Sequence, residues 1–388
     1  MIQSHAAISD ARDSATAGQS LGREIREALG GPASAIIVFA SAQHDGPALL
    51  EALRAESGCS VLVGASSAGE FTHGTSGEGW ASALALRSDT MRFSTGLGLG
   101  VSTDPTGAAR SVVRGFQDSL ARRPLPHRAA LVMTDALAGH ADQVVEELTV
   151  ATGGNYTFFG GGAGDDGQFV KTFVFCGTKT FSDAVVALEI QSDAAIGVGV
   201  SHGWLPTERG YRVTEVEGGR LISLNGAPAM DAFVEHAEKT GQVIETTNPL
   251  PFFLHNILGI RGNGGYRLRV PLAVHADGSV SCAAGIPLGS VVHIMKTDVQ
   301  SAVQAARHAT KAALAALGSR RPQAALVFDC VATRLRLGSG FDDELQACAE
   351  LLAPAHFVGC NTYGQIARAQ GQFGGFHNCT AVVCVFPE

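Results

Sequence analysis

Charge is scarce in this chain. Only 16% of its 388 residues are Asp, Glu, Lys or Arg, well under the roughly 25% of an ordinary globular domain. The formal net charge is −8 and no dense basic patch occurs, which argues against a nucleic-acid or anionic-membrane surface. No run reaches the roughly 18 uncharged apolar residues that a bilayer span requires. The opening MIQSHAAISDARDSATAGQS holds no apolar segment of a secretory signal, so the expected location is the cytoplasm. The eight cysteines are scattered and never form CxxC, a pattern of reduced thiols rather than of a disulfide frame. Walker A and HExxH signatures are absent, and Gly64-Ala65-Ser66-Ser67-Ala68-Gly69 is one residue too long for a GxSxG elbow.

Glycine, by contrast, is abundant, at 48 residues, or about 12% against roughly 7% in average proteins. Together with 45% hydrophobic content, this predicts tight turns, a large buried core and room for a homo-oligomer interface.

The glycines recur in register. LVGASSAGE at 62–70 returns as FVGCNTYGQ at 357–365. Around the first stand an apolar strand at 33–41, a helical pattern at 47–58, a strand running into the glycine turn at 59–70, and a closing strand at 79–88. Around the second, the same order occupies 322–330, 342–353, 356–367 and 379–386. A third copy occupies 128–135, 141–154, 156–167 and 182–190. Self-similarity over this length predicts duplicated β-α-β-turn-β architecture. The expected fold is α/β, with two domains of mixed sheets and flanking helices, divided into 1–210 and 211–388. Different material separates the second-half repeat from the others: strands at 211–219 and 221–226, a helix at 228–241, and a hairpin around Asp277-Gly278 within 266–282. The clearest helix is 297–318, with Thr297 and Gln300 as a capping box, a stripe of Val299, Val303, Ala306, Thr310, Ala313 and Leu317, and Gly318 as its stop.

The repeated turns have the chemistry of a small-ligand cradle, since small residues let backbone N–H groups approach a bound group. Ser66, Ser67, Asn361, Thr362 and Tyr363 supply neutral donors and acceptors, and Glu70 or Gln365 sets charge preference. In the middle copy, G-A-G-D-D-G at 162–167 matches GxGxxG formally, but a strand follows instead of the helix a dinucleotide needs. It reads as a turn presenting Asp165 and Asp166. The plain alternative for each turn is a strand connection whose glycines only permit sharp φ. One neutral histidine suffices to hold haem, which makes His202, His377 and His140 candidates, although each read alone is a structural or surface histidine. His308 falls off its helix's apolar stripe and is expected in solvent. A competing class is a hydrolase or transferase using Ser66 or Cys360.

These pieces in this order, VGASSAGEF, FFGGGAGDDG, GVGVSHGWLP, LNGAPAMDAF, ADGSVSCAAGIPLGSVVHIM and VGCNTYGQIA followed by GGFHNCTAVV, resemble the FIST family across almost the whole chain. The resemblance implies a FIST N-terminal domain followed by a FIST C-terminal one. It implies a non-enzymatic bacterial sensory module binding an amino-acid-like metabolite, with signal passed to a histidine kinase of a two-component system, a chemotaxis receptor or a cyclic-di-GMP enzyme. Stand-alone members of this layout include haem-containing nitric oxide sensors that regulate a partner kinase. Gln365 stands where the family's usual motif has Glu. Since no kinase, helix-turn-helix or coiled-coil pattern is present, signalling would run through a separate partner.

Overall fold

The computed structural model describes residues 2–116, 125–245, 247–262, 265–369 and 375–388. Gly374, at the head of the GGFHNC stretch, lies outside the described residues. The chain is a mixed α/β protein whose strands, among the described residues, form four sheets.

Three of those sheets are copies of one design. The first places Ile2–Ser9, Ala81–Ser88, Ala35–Ser41 and Leu62–Ser67 side by side. The second repeats this with Met91–Leu99, Ala184–Ser192, His127–Thr134 and Thr157–Gly162, and the third with Gly197–Ser201, Ala381–Pro387, Pro322–Cys330 and His356–Thr362. Each repeat is therefore longer than the sequence pattern indicates, because a leading strand and a leading helix precede the β-α-β-turn-β segment. The leading helices are Ser14–Leu29, Pro105–Gly115 and Val299–Ala316. The central strands are buried on both faces, as Ala35–Ser41 illustrates with every residue buried, which is why they read as unbroken apolar runs rather than alternating ones.

The repeats are interlocked. After its second inner strand each one sends a short hairpin onto the edge of another sheet. Glu70–Thr72 pairs with His356–Thr362, Val174–Cys176 with Leu62–Ser67, and Gln365–Arg368 with Thr157–Gly162. The exchange is cyclic, so no repeat completes its sheet alone. The three sheets enclose one shared core to which all contribute: Phe39 and Val63 from the first, Met133 and Phe159 from the second, Phe328 and Phe386 from the third. Phe39 meets Phe328 edge to face at 5.6 Å, and Phe159 meets Phe386 at 6.5 Å. Helices cover the outer faces through three separate apolar clusters.

Glycine explains the close fit. In the register of the inner parallel pairs, Val38 faces Gly64, Val132 faces Gly160 and Val327 faces Gly359. A Cβ on these three glycines would lie 1.7, 2.1 and 2.2 Å from the opposing valine carbonyl oxygen. The recurring Gly thus serves strand packing and not ligand approach.

The remaining strands build the fourth sheet, with eight strands drawn from Leu205–Glu217 through Val291–Lys296. Its own core gathers Phe233, Phe252 and Phe253. Val274 pairs with Val280 across the Asp277-Gly278 turn, where Gly278 has φ +76. This segment enters the third repeat between its leading strand, Gly197–Ser201, and its leading helix, Val299–Ala316. In space the third repeat packs with the first two around the shared core, and the expected 210/211 division falls after its leading strand.

That helix differs from its sequence reading. Its cap is Asp298, whose Oδ1 accepts the Ser301 N–H at 2.7 Å, while Thr297 donates to the Gly203 carbonyl. The buried stripe is Ala302, Ala305, Ala306, Ala309, Thr310 and Ala313, and Val299 is largely exposed. Small residues win because the facing strand is Gly-x-Gly: Cβ atoms on Gly197 and Gly199 would sit 1.9 Å from the Ala313 and Ala309 carbonyls. His308 is exposed as expected.

Candidate functional site

The three glycine turns meet. Ala68 N–H donates to the Asn361 carbonyl at 2.9 Å, Gly164 N–H to Ser66 at 2.8 Å, and Tyr363 N–H to Gly162 at 3.0 Å. Counted from Gly64, Gly160 and Gly359, these are equivalent positions, so one backbone hydrogen bond recurs at all three junctions. Ala68 and Tyr363 of the ring pack with Val331 in a small apolar cluster.

Most sequence-expected ligand residues are spent on holding this ring. Ser66 Oγ accepts the Phe173 N–H at 2.9 Å and donates to its carbonyl at 3.3 Å. Asp165 accepts N–H groups from Phe169, Val170 and Lys171 at 2.8, 2.6 and 2.8 Å and also takes the Tyr363 hydroxyl, pinning its loop. Asp166 Oδ2 accepts from Ser41 Oγ at 2.6 Å. Thr362 and Gln365 are fully buried together; the Gln365 amide donates to the Thr380 carbonyl at 3.2 Å and accepts from Thr362 Oγ1 at 2.9 Å and from Cys330 N–H at 3.1 Å.

Glu70 occupies the position in the first repeat that Gln365 occupies in the third. It is fully buried, takes a 2.5 Å hydrogen bond from Ser67 Oγ and a 3.1 Å one from the Trp80 N–H. Burial outweighs both bonds and pushes its carboxyl up to about 8, so it is neutral at pH 7. A buried neutral acid and a buried amide are near equivalents, which makes glutamine at 365 a chemically mild departure.

Two hollows adjoin the ring. One, of about 370 Å³, lies at the junction of the first and third repeats, bordered by Glu70, Asn361 and Arg334. The other, of about 510 Å³, lies where the second and third repeats meet the fourth sheet. Leu137, Phe169, Leu272 and Phe376 wall it, Phe169 stacks on Tyr363 at 4.3 Å, and His140 and Asp142 supply polar edges. Beside it, Arg269 of the fourth sheet reaches into the three-sheet body. Its guanidinium, almost wholly buried, meets Asp142 at 2.6 Å, the Phe376 carbonyl at 3.1 Å and the Gly285 carbonyl at 2.9 Å. Neither Asp142 nor Arg269 nor Arg334 stands out in the sequence, since each gains meaning only through elements distant in the chain.

Of the three candidate haem histidines, only His140 borders this larger hollow. It starts the helix Ala141–Ala151 in a left-handed conformation, φ 57, and its side chain makes no capping bond. His202 Nε2 lies 2.9 Å from the Tyr266 carbonyl oxygen, and the residue borders a space of about 10 Å³. His377 is fully buried, and burial, with Arg269 and Arg267 nearby, pushes its imidazole down to about 3. Among the described residues no cluster of three His, Cys, Asp or Glu side chains could hold a metal ion.

The competing nucleophiles are poorly placed. Cys360 is buried in the shared core, where burial and the nearby Glu70 hold its thiol well above the ordinary range. The Ser66 hydroxyl is committed to the Phe173 backbone. Among the described residues no helix is long and apolar enough to cross a membrane.

An uncharacterized protein of Methanocaldococcus jannaschii is 26% identical over 172 residues, which are 42% of this chain and 32% of that protein; the chain thus spans about a third of that relative's length. Two solved structures align over 99% of both chains: a chorismatase, at 10% identity and a TM-score of 0.37, and a cyanuric acid hydrolase from A. caulinodans, at 8% and 0.34. The FIST N domain matches residues 34–227 and the FIST C domain residues 231–368. FIST domains are sensory domains of signal transduction, and this chain, matched by both in order over most of its length, belongs to the FIST family.

Proposed function

We propose that the chain is a non-enzymatic cytoplasmic sensor whose small ligand sits in the hollow between the three-sheet body and the fourth sheet. One observation carries this reading: that hollow has about 510 Å³, within the ordinary range for small-molecule sites, and its walls come from both bodies. A ligand touching both favours one relative arrangement over another, and only such a differential interaction can transmit a signal. The apolar walls with polar groups at one side suit a metabolite with an apolar body and one polar end, including amino-acid-like ones. The signal passes to a separate partner, such as a histidine kinase or a cyclic-di-GMP enzyme.

A second reading shares the same hollow. The residues there fit haem in kind, with an imidazole free of a capping bond at the rim and apolar walls. His140 would hold the iron, and Leu137, Leu272 and Phe376 would shelter the ring. Bound haem would supply an iron that takes nitric oxide.

Thermal melting of the full chain against a metabolite panel and haemin tests both. A ligand at a hundred times its Kd stabilises by about 2.7 kcal/mol, and Ala284→Trp, which fills the hollow, abolishes that rise. Haemin gives a Soret band that His140→Ala removes. A melting point unmoved by every compound overturns the sensor reading, and a protein that stays colourless with haemin overturns the haem version alone.

A further inference from the structure

The smaller hollow, at the junction of the first and third repeats, holds an unsatisfied group. Asn361 is 1% exposed, and neither its Oδ1 nor its Nδ2 has a hydrogen-bond partner. A buried amide in this state is costly, and such an exception calls for an explanation. It borders a hollow of about 370 Å³ together with Glu70 and Arg334. Gly69, at φ +133, keeps the approach open: a Cβ there would lie 2.2 Å from Arg334 Nη1 and 2.8 Å from Asn361 Oδ1. Arg334 is paired at 2.6 Å with Glu78, whose side chain is 66% exposed. The arginine side of the pair is only 16% exposed, but its carboxylate side faces water and can give way to another carboxylate.

We propose that this hollow is a second ligand site, for a small carboxylate that also carries a primary amide or ureido group. The ligand's carboxylate replaces Glu78 on the Arg334 guanidinium, whose planar fork suits a carboxylate. Its amide edge, presenting one donor and one acceptor in a plane, pairs with the donor and acceptor of Asn361. Glu70, held neutral by burial, adds no repelling charge at pH 7. The site is independent of the hollow beside His140, so failure of one leaves the other standing.

Isothermal titration of the full chain with N-carbamoylglycine and with succinamate tests the proposal, with propionate as the carboxylate lacking the amide. At least one amide-bearing probe is expected to saturate, and propionate to bind at least about tenfold more weakly, as loss of a buried hydrogen-bonding pair implies. Asn361→Leu and Arg334→Met are each expected to lower affinity at least about tenfold while melting within a few degrees of the unaltered chain. Propionate binding as well as the amide probes, affinity unchanged in Asn361→Leu, or no saturation by either probe at 10 mM overturns the proposal.

Discussion

The two junctions of the loop ring that border hollows share a backbone hydrogen bond but not a chemistry. Where the third repeat meets the first, the neighbours are a neutral acid, an unpaired amide and an arginine. Where it meets the second, they are aromatic and aliphatic side chains, and a separate sheet closes over them. A symmetric scaffold has thus been differentiated by its side chains and by the inserted fourth sheet. The polar junction sits within the three-sheet body and the apolar one spans two bodies. Of the two, the apolar junction is the one suited to relay an interdomain change.

The largest effect expected on breaking this contrast is at the apolar junction. Asp142→Ala strands the buried Arg269 charge and is expected to cost about 3–5 kcal/mol in urea unfolding. Arg269→Met leaves Asp142 with Arg267 at 3.5 Å and a side chain 32% exposed that can be hydrated, and is expected to cost under about 2 kcal/mol. Equal costs would mean that the arginine is not buried as described.

At the polar junction the leading effect is pH dependence. Glu70 is raised from 4.5 to about 8, so between those values the folded chain keeps a proton that the unfolded chain releases. Stability from this group is complete below the unfolded value and is lost as pH rises toward 8. The expected loss is about 3 kcal/mol between pH 5 and 7.5, at roughly 1.4 kcal/mol per pH unit. Glu70→Gln should flatten that slope in unfolding measured across the window. A smaller effect is expected of Asn361→Leu, a gain of about 1 kcal/mol from removing the unsatisfied amide, visible in the same experiment.

Much of the fold is legible in the sequence. Buried strands such as Ala35–Ser41 announce themselves as apolar runs, and the three V-G or F-G turns mark equivalent positions because each glycine must pass a valine carbonyl. The leading strands carry a weaker signal, since Gly197–Ser201 lies outside the repeated segments and gains its meaning only against the alanine face of Val299–Ala316. The hairpin exchange has no local signal at all, because it depends on which sheet has a free edge. The same limit applies to the site. Glu70 and Asn361 are recognisable as polar residues on repeated turns, but Arg334 and Arg269 reach their partners only through the interlocked topology.

Amide hydrogen exchange of the full chain, with and without haemin or a metabolite that raises the melting point, tests the central claim most directly. A ligand spanning the apolar junction is predicted to slow exchange in 136–143 and in 282–285 together. Slowing on one side alone, or on neither, would contradict a site shared by the two bodies.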